Sequence, residues 1–442
     1  MTTAARTASV LLVVGLLGAA QGWCQAPTSP AKSAAKAPTA GATPETPVYP
    51  DDLTVWPNKT SQANSDAWLV RNHDKLRKMR PRVLVLNFCN GFAPEKAEKT
   101  AKELAAAVTE GTRYHGYSHP ETEPFIEWQI AKLVDLRDAD PKTPTPDGNS
   151  TKYPRAPKKD GPNFVYKELY SAKFAEYYGI KDPRNAARYL KLHELVAQGW
   201  FHEVWFFAYQ REAGAPFECT EWMPVYDENF KRKGEEHRHA GNGGDPDEPW
   251  YGRSLRISFI NAERGIGCNV ESLSHAMEGM AHSSVIPYYR KYFYEFASFD
   301  LDKRFHLPWN SLYAVGGEGS GVSYPDDHTA VIKQDGKEHR IENYYCVGGN
   351  VHWMPNGRGQ YDLDSPFTVL STIEHYRLFD GPDGKDLKEP WTTAKLAKYR
   401  GKAPDCMGDW LIYWRQNIPG YGNKCKDDSG KPMKNWWPFL FY

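Results

Sequence analysis

The sequence predicts an α/β protein, a mainly parallel sheet flanked by helices, with long loops and an irregular C-terminal region. Three observations predict it. Short apolar runs alternate with helix-forming runs, as strand–helix–strand units require. The run "RPRVLVLNFCNGF" (80–92) is apolar at almost every central position, as a strand covered on both faces would be. From about residue 300 Gly, Pro, Trp and Asp take over, as in "AVGGEGSGVSYPDD" and "CVGGNVHWMPNGRGQYD".

Taken in order, residues 80–92 are the first strand, ended by Asn90-Gly91. "PEKAEKTAKELAAAVTEGT" follows as a helix, with Pro94 in its first turn and strong helix formers behind it. "FIEWQIAKLVDLRD" (125–138) is the second strand. "DPRNAARYLKLHELVAQGW" (182–200) is expected to be a helix leading into "HEVWFFAY" (202–209), the third strand. "SLRISFINAER" (254–264) is the fourth, and it enters the helix "NVESLSHAMEGMAH" (269–282). Pro287 breaks or restarts that helix. Long polar loops at 139–165 and 211–253 separate these elements, and loops of that length are commonly functional or mobile. Residues 300–442 are expected to pack across the sheet, so that 49–442 is a single large α/β domain. The ending "NWWPFLFY" is too apolar to stand free in water.

The first 26 residues carry one early Arg and an apolar run from Val10 to Ala20, the plan of a secretory signal peptide. The run is short for a membrane span. Cleavage after Ala20, Gly22 or Ala26 would fit, and Trp23 before Cys24 argues against lipid attachment. Residues 27–48 contain little beyond Ala, Pro, Thr and Lys and read as a disordered tether. The expected location is secreted or periplasmic, without a membrane span. In an exported chain the six remaining cysteines permit disulfides, Cys406–Cys425 being the expected pair.

The 442-residue chain carries 55 basic and 55 acidic residues, which leaves no basic excess for nucleic acid. Fifteen Trp, 26 Tyr and 19 Phe accompany a mean hydropathy of −0.67, so many rings are expected at surfaces and clefts. Flat rings cover the apolar faces of sugars, although most single Trp residues belong to cores.

Glu271, His275, Glu278 and His282 follow at steps of four, three and four. At ~100° per residue they fall within an arc of about 60° on one helix face. Val270, Leu273, Met277 and Met280 lie on the opposite side, so the stripe is either a site or the wet face of an amphipathic helix. Two His and no Lys favour a site. Paired carboxylates are the acid/base equipment of a glycosidase, with Glu271 and Glu278 as acid and base, Glu263 or Glu203 as further partners and His275 orienting one of them. This first reading needs no metal or other cofactor. The alternative is a hydrolase whose divalent metal is held by His275 and flanking carboxylates. A third is a non-catalytic carbohydrate-binding surface protein.

Asn261, Glu263 and Arg264 stand at the end of the fourth strand, where parallel sheets bind ligands, as do Asn90, Asp138 and Tyr209 at other strand ends. The glycine-rich run 348–362 offers Asn350, His352, Trp353, Asn356 and Asp362. Arg264, Asn261, Asn350, His352, Trp353 and Asn356 are therefore the candidate contacts to a carbohydrate or glycoconjugate substrate. His237 and His239, in "EEHRHAGNGGDPDEPW", are expected on a mobile loop without metal.

"FINAERGIGCNVESLSHAMEGM" and "GNVHWMPNGRGQYD" resemble two blocks of an uncharacterised family of large secreted bacterial proteins, and "HEVWFFA" resembles the strand before its site. The resemblance spans roughly residues 195–365. It matches Glu263, Arg264, Glu271, His275, Glu278, Asn350, His352 and Asn356 to the family's motif positions, leaves His282 outside them, and implies no activity.

Overall fold

Strands that are apolar on every residue can only be covered on both sides. Five segments form the central sheet, of which β1, β3 and β5 are buried almost throughout: β1 (Arg82–Asn87), β2 (Gln129–Asp135), β3 (Glu203–Ala208), β4 (Cys219–Thr220) and β5 (Arg256–Asn261). Their spatial order is β2-β1-β3-β5-β4. The first four run parallel, and β4 closes one edge antiparallel to β5. The computed structural model describes residues 46–442 apart from 62, 64–66, 141–144, 146, 157–162 and 211–215. The expected signal peptide and nearly all of the expected tether lie outside the described residues.

Alternate residues of each strand enter different cores. Val83, Val85, Trp205, Phe207 and Ile260 face one side, and Leu84, Leu86, Val204, Phe206, Ile257 and Phe259 the other. The first face is covered by helices α1 (Pro94–Glu110), α2 (Ile266–Ser283), α3 (Pro287–Phe296) and α4 (Gly408–Gln416), together with the C-terminal aromatics. The second face is covered by residues 153–201. Helix α2 is the middle of the first layer, packed against α1, α3, α4 and β5. Fourteen of its 18 residues are buried. Ser284, in the left-handed region at φ 57°, ends it, and Pro287 starts α3.

The fold is mixed α/β, and the parallel arrangement is confined largely to the central sheet. A three-stranded antiparallel meander occupies Gly321–Ile341, and Val369–Ser371 pairs antiparallel with Glu389–Trp391. The expected helix at 182–200 is instead a small hairpin, Lys181–Asp182 with Asn185–Tyr189, followed by a helix of only six residues, Leu192–Ala197. Pro183 lies in the turn, and Asp182 anchors it by accepting from Arg184 N at 2.9 Å. The stretch 211–253, expected to be loop, carries an antiparallel hairpin of Trp222–Tyr226 with Arg232–His239. His237 and His239 thus sit on a strand, their rings against Trp222.

The cysteine pairing also differs from expectation. Cys406 is bonded to Cys268, in the first turn of α2, while Cys425 is free and buried. The apolar ending does dock: Trp436, Trp437, Phe439, Leu440, Phe441 and Tyr442 are all buried. The described residues belong to one compact unit, Thr43–Tyr442. Among them no helix is long and apolar enough to cross a membrane.

Candidate metal centre

The stripe on α2 is not wet. Glu271, His275 and Glu278 are 2%, 7% and 4% exposed, which excludes the solvated-face reading. A buried carboxylate or imidazole must be hydrogen-bonded or paired, and each of these is. His275 lies between the two glutamates, one on each ring nitrogen. Its Nδ1 donates to Glu278 Oε2 at 2.9 Å, and its Nε2 lies 3.1 Å from Glu271 Oε1.

Glu278 is saturated from the far side. Tyr313 Oη donates to Oε1 at 3.0 Å, and the Val351 amide donates to the same oxygen at 3.2 Å. Burial pushes the Glu278 carboxyl up, but the donors around it, His275 first, outweigh burial and hold it below the usual carboxylate range. Glu278 therefore stays an acceptor, and His275 keeps its proton on Nδ1.

The glycine-rich run completes the cluster from above. Gly349, at φ 65°, turns the chain where a Cβ would stand 2.3 Å from the Trp353 carbonyl. Two indoles of α4 hold the turn: Trp414 Nε1 donates to Gly349 O at 3.1 Å, and Trp410 Nε1 to Asn350 O at 3.0 Å. Asn350 Oδ1 accepts from the His352 and Trp353 amides, both at 3.1 Å. His352 is thereby delivered onto the stripe. Its Nε2 lies 2.7 Å from Glu271 Oε1 and 3.0 Å from His275 Nε2, while its Nδ1 faces Gln360 Oε1 at 3.1 Å. Tyr361 Oη adds a hydroxyl 2.8 Å from His352 Nε2 and 3.1 Å from Glu271 Oε1. Tyr361 is a non-glycine residue at φ 62°, a conformation that persists only where surroundings enforce it. Arg358 closes this turn on Asp362 with bonds of 2.6–2.8 Å.

Glu271, His275 and His352 thus present one oxygen and two nitrogens close enough together to share one cation. Glu218 stands beside them, with Oε2 3.9 Å from His275 Nε2. Burial would push the His275 imidazole down, but Glu218, Glu271 and Glu278 override it and raise it well above the ordinary value. Burial likewise pushes Glu271 up, and hydrogen bonds from His275 and His352 overcome it and hold the carboxyl low. Three carboxylates around two imidazoles make a strong trap for positive charge. Among the described residues the other comparable group, Asp326, Asp327 and His328, lies at the surface, its side chains about half exposed.

The remaining sequence candidates are placed elsewhere or play other parts. Asn261 Oδ1 accepts from the Glu263 amide and its Nδ2 donates to Gln210, so it shapes the strand end. Glu263 and Arg264 are exposed, and Glu263 accepts from the Gln210 amide at 3.3 Å. Arg264 is near enough to Tyr361 for its charge to act on the phenol. Glu203 is buried away from the stripe, accepting from the indoles of Trp128 and Trp205. Asn90 and Asp138 bond to each other, and Tyr209 is tied to Asn149, so those strand ends are stitched rather than open. Trp353 is 1% exposed in a core with Val322, Tyr324 and Ile332, so it offers no platform to a sugar. Asn356 is fully buried and donates to Phe367 O at 2.7 Å, holding the loop rather than a ligand. His282 leaves the stripe to bond Tyr294 and stack on Phe299.

Sequence reasoning missed Glu218, Tyr313, Gln360 and Tyr361 as members of the cluster. Gln360 and Tyr361 alone carried a signal, their places eight and nine residues beyond His352 in the same glycine-rich run. No protein-family model matches the chain, and no curated protein matches it.

Proposed function

We propose that the protein is a metal-dependent hydrolase in which Glu271 Oε1, His275 Nε2 and His352 Nε2 hold a divalent cation. The observation that carries this reading is the direction of the two imidazoles. Each Nδ1 faces an outer acceptor, Glu278 or Gln360, so both Nε2 atoms point inward, 3.0 Å from each other and 2.7–3.1 Å from Glu271 Oε1. A divalent ion that displaced the protons shared there would meet both nitrogens and the carboxylate at once. A proton can serve one pair of atoms; a divalent ion serves all three donors. Two His and one carboxylate are a known catalytic zinc set, and outer acceptors on the far ring nitrogens are the usual support for such ligands.

A bound metal would supply an activated water at neutral pH. Glu218, 30% exposed and beside His275, is placed to take that water's proton. Tyr361 Oη is placed to donate to oxygen charge developing on the substrate. The purely carboxylate mechanism needs one glutamic acid held protonated. His275 instead favours the ionised form of both Glu271 and Glu278, so that reading yields to the metal reading.

The substrate we propose is a polysaccharide or glycoconjugate met outside the cytoplasm. Tyr361, 46% exposed at the cluster, offers a ring face to a sugar. The Cys268–Cys406 bond suits an oxidising compartment.

Elemental analysis of purified protein, with zinc and cobalt titrations of the parent and of His352→Ala, tests the site. One equivalent in the parent and loss in the variant are expected. A polysaccharide screen for reducing-end release, with and without chelator, tests the activity. Release that continues undiminished in metal-free protein would overturn the metal reading, and binding without release would make this a carbohydrate-binding protein.

A further inference from the structure

Tyr361 brings a fourth donor atom to the cluster. Its Oη lies 2.8 Å from His352 Nε2 and 3.1 Å from Glu271 Oε1. Those two atoms are themselves 2.7 Å apart, so the phenol oxygen closes a triangle with two of the three atoms assigned to the cation. Ligands that sit ~2.0–2.1 Å from one tetrahedral zinc stand roughly 3.3 Å from each other. The Oη therefore has nearly the spacing of a co-ligand. The other oxygen beside the cluster is placed less well. Glu218 Oε2 is 3.9 Å from His275 Nε2, and its carboxylate already accepts from Asn242 Nδ2 and Ser272 Oγ. Tyr313 Oη is turned away, onto Glu278.

The backbone around Tyr361 is fixed while its side chain is not enclosed. Its amide donates to the His352 carbonyl at 3.0 Å. Gln360 holds His352 Nδ1, and Arg358 latches the turn to Asp362. The ring lies along the His352 imidazole, with centroids 4.4 Å apart, yet Tyr361 is 46% exposed. A change of side-chain rotamer alone carries the ring from the cluster toward solvent, with no opening of the core.

Three protein donors leave a four-coordinate ion one position short. We propose that Tyr361 Oη fills that position as a phenolate at rest and withdraws when an incoming ligand takes it, so that the centre covers itself until a metal-binding group arrives. The proposal rests on the metal reading given above. The O–H bond breaks as the oxygen–metal bond forms, and the proton passes to solvent. On withdrawal the oxygen takes a proton back, and the hydroxyl is then the donor to substrate already assigned to it.

Copper(II) is the probe, because d¹⁰ zinc is spectroscopically silent, imidazole sites accept copper, and a copper-bound phenolate absorbs visible light by charge transfer. The parent with one equivalent of copper should show that band. Tyr361→Phe should keep one equivalent and lose the band. Tyr421→Phe, at an exposed position on a separate cavity, should keep both. Should Tyr361→Phe fail to fold, as read by near-ultraviolet circular dichroism, Tyr361→His supplies a nitrogen in its place and should lose the band in the same way. Acetohydroxamate, a small chelating anion, should bleach the parent's band while copper stays bound. One equivalent of copper without a band, or a band that survives in Tyr361→Phe or Tyr361→His, would overturn the ligand assignment. A band undiminished with hydroxamate bound would overturn the withdrawal. A parent that takes up neither copper nor zinc would overturn the metal centre itself, and elemental analysis of the same samples separates that failure from the other two.

Discussion

Glu278 decides which nitrogen of His275 is free. It touches no candidate metal position, yet its acceptance of the Nδ1 proton aims Nε2 at Glu271 and His352. Glu278→Gln keeps the size but can turn an amide N–H toward Nδ1, which favours the wrong tautomer. Zinc affinity is expected to fall by about 10–100-fold with all three ligands still in place, measured by competition with a chromogenic chelator. Wild-type affinity in Glu278→Gln would remove that role. Affinity should also fall with acidification, because protons compete for both Nε2 atoms. Titrations at pH 5 and 7.5 check the sign: the metal must bind more tightly at the higher value.

At the scale of the element, α2 is clamped at its first turn. Asp405 Oδ1 accepts from the Gly267 amide, and the next residue of each segment is joined by the Cys268–Cys406 bond. A Cβ on Gly267 would stand 1.8 Å from the Asp405 carbonyl oxygen, so only glycine permits the approach. Replacing both cysteines by serine opens a loop of 138 residues and should cost about 3–5 kcal/mol. Urea melts of the double variant check it; a loss under ~1 kcal/mol would mean that packing alone holds the helix start.

This helix was largely legible in the sequence. The four-three-four spacing placed Glu271, His275 and Glu278 on one face, and the glycines around His352 marked a loop able to reach them. Burial of that face was not legible, because it depends on α4 and on Tyr313, remote in sequence. Glu218 carried no local pattern, since its place comes from sheet pairing. The helix expected at 182–200 failed for the opposite reason: Asp182 and Pro183 set a turn that overrode the helix formers behind them. The cysteine pairing was set by the contact between α2 and the approach to α4, which spacing does not reveal.

Across the whole molecule, several carboxyls are buried beside the sheet. Glu248 is the clearest, with burial raising it to about 8. Between its ordinary value near 4.5 and 8 the folded chain holds a proton that the unfolded chain has released. Stability from this group is therefore full below pH ~4.5 and declines as pH rises toward 8. Glu248→Gln fixes the neutral form and should flatten that decline, read as the difference between urea midpoints at pH 5.5 and 8. A variant whose midpoint drops as steeply as the parent's would show that the group is ionised in the fold.

The indoles of Trp410 and Trp414 that hold Gly349 and Asn350 have a consequence for the order in which the chain is made. Glu271 and His275 leave the ribosome more than 130 residues before α4 does. Until α4 is synthesised, the two indole bonds that fix the turn carrying His352 are missing. A nascent chain therefore carries two of the three donors on a helix that lacks one of its packing partners and the third on a loop that lacks its two indole bonds. On the proposed metal reading, high-affinity capture would wait for the last part of translation, so the compartment in which α4 docks would be the one whose metal supply the protein samples. A chain stopped at residue 405 should, on this account, bind zinc far more weakly than the full chain while still containing every donor.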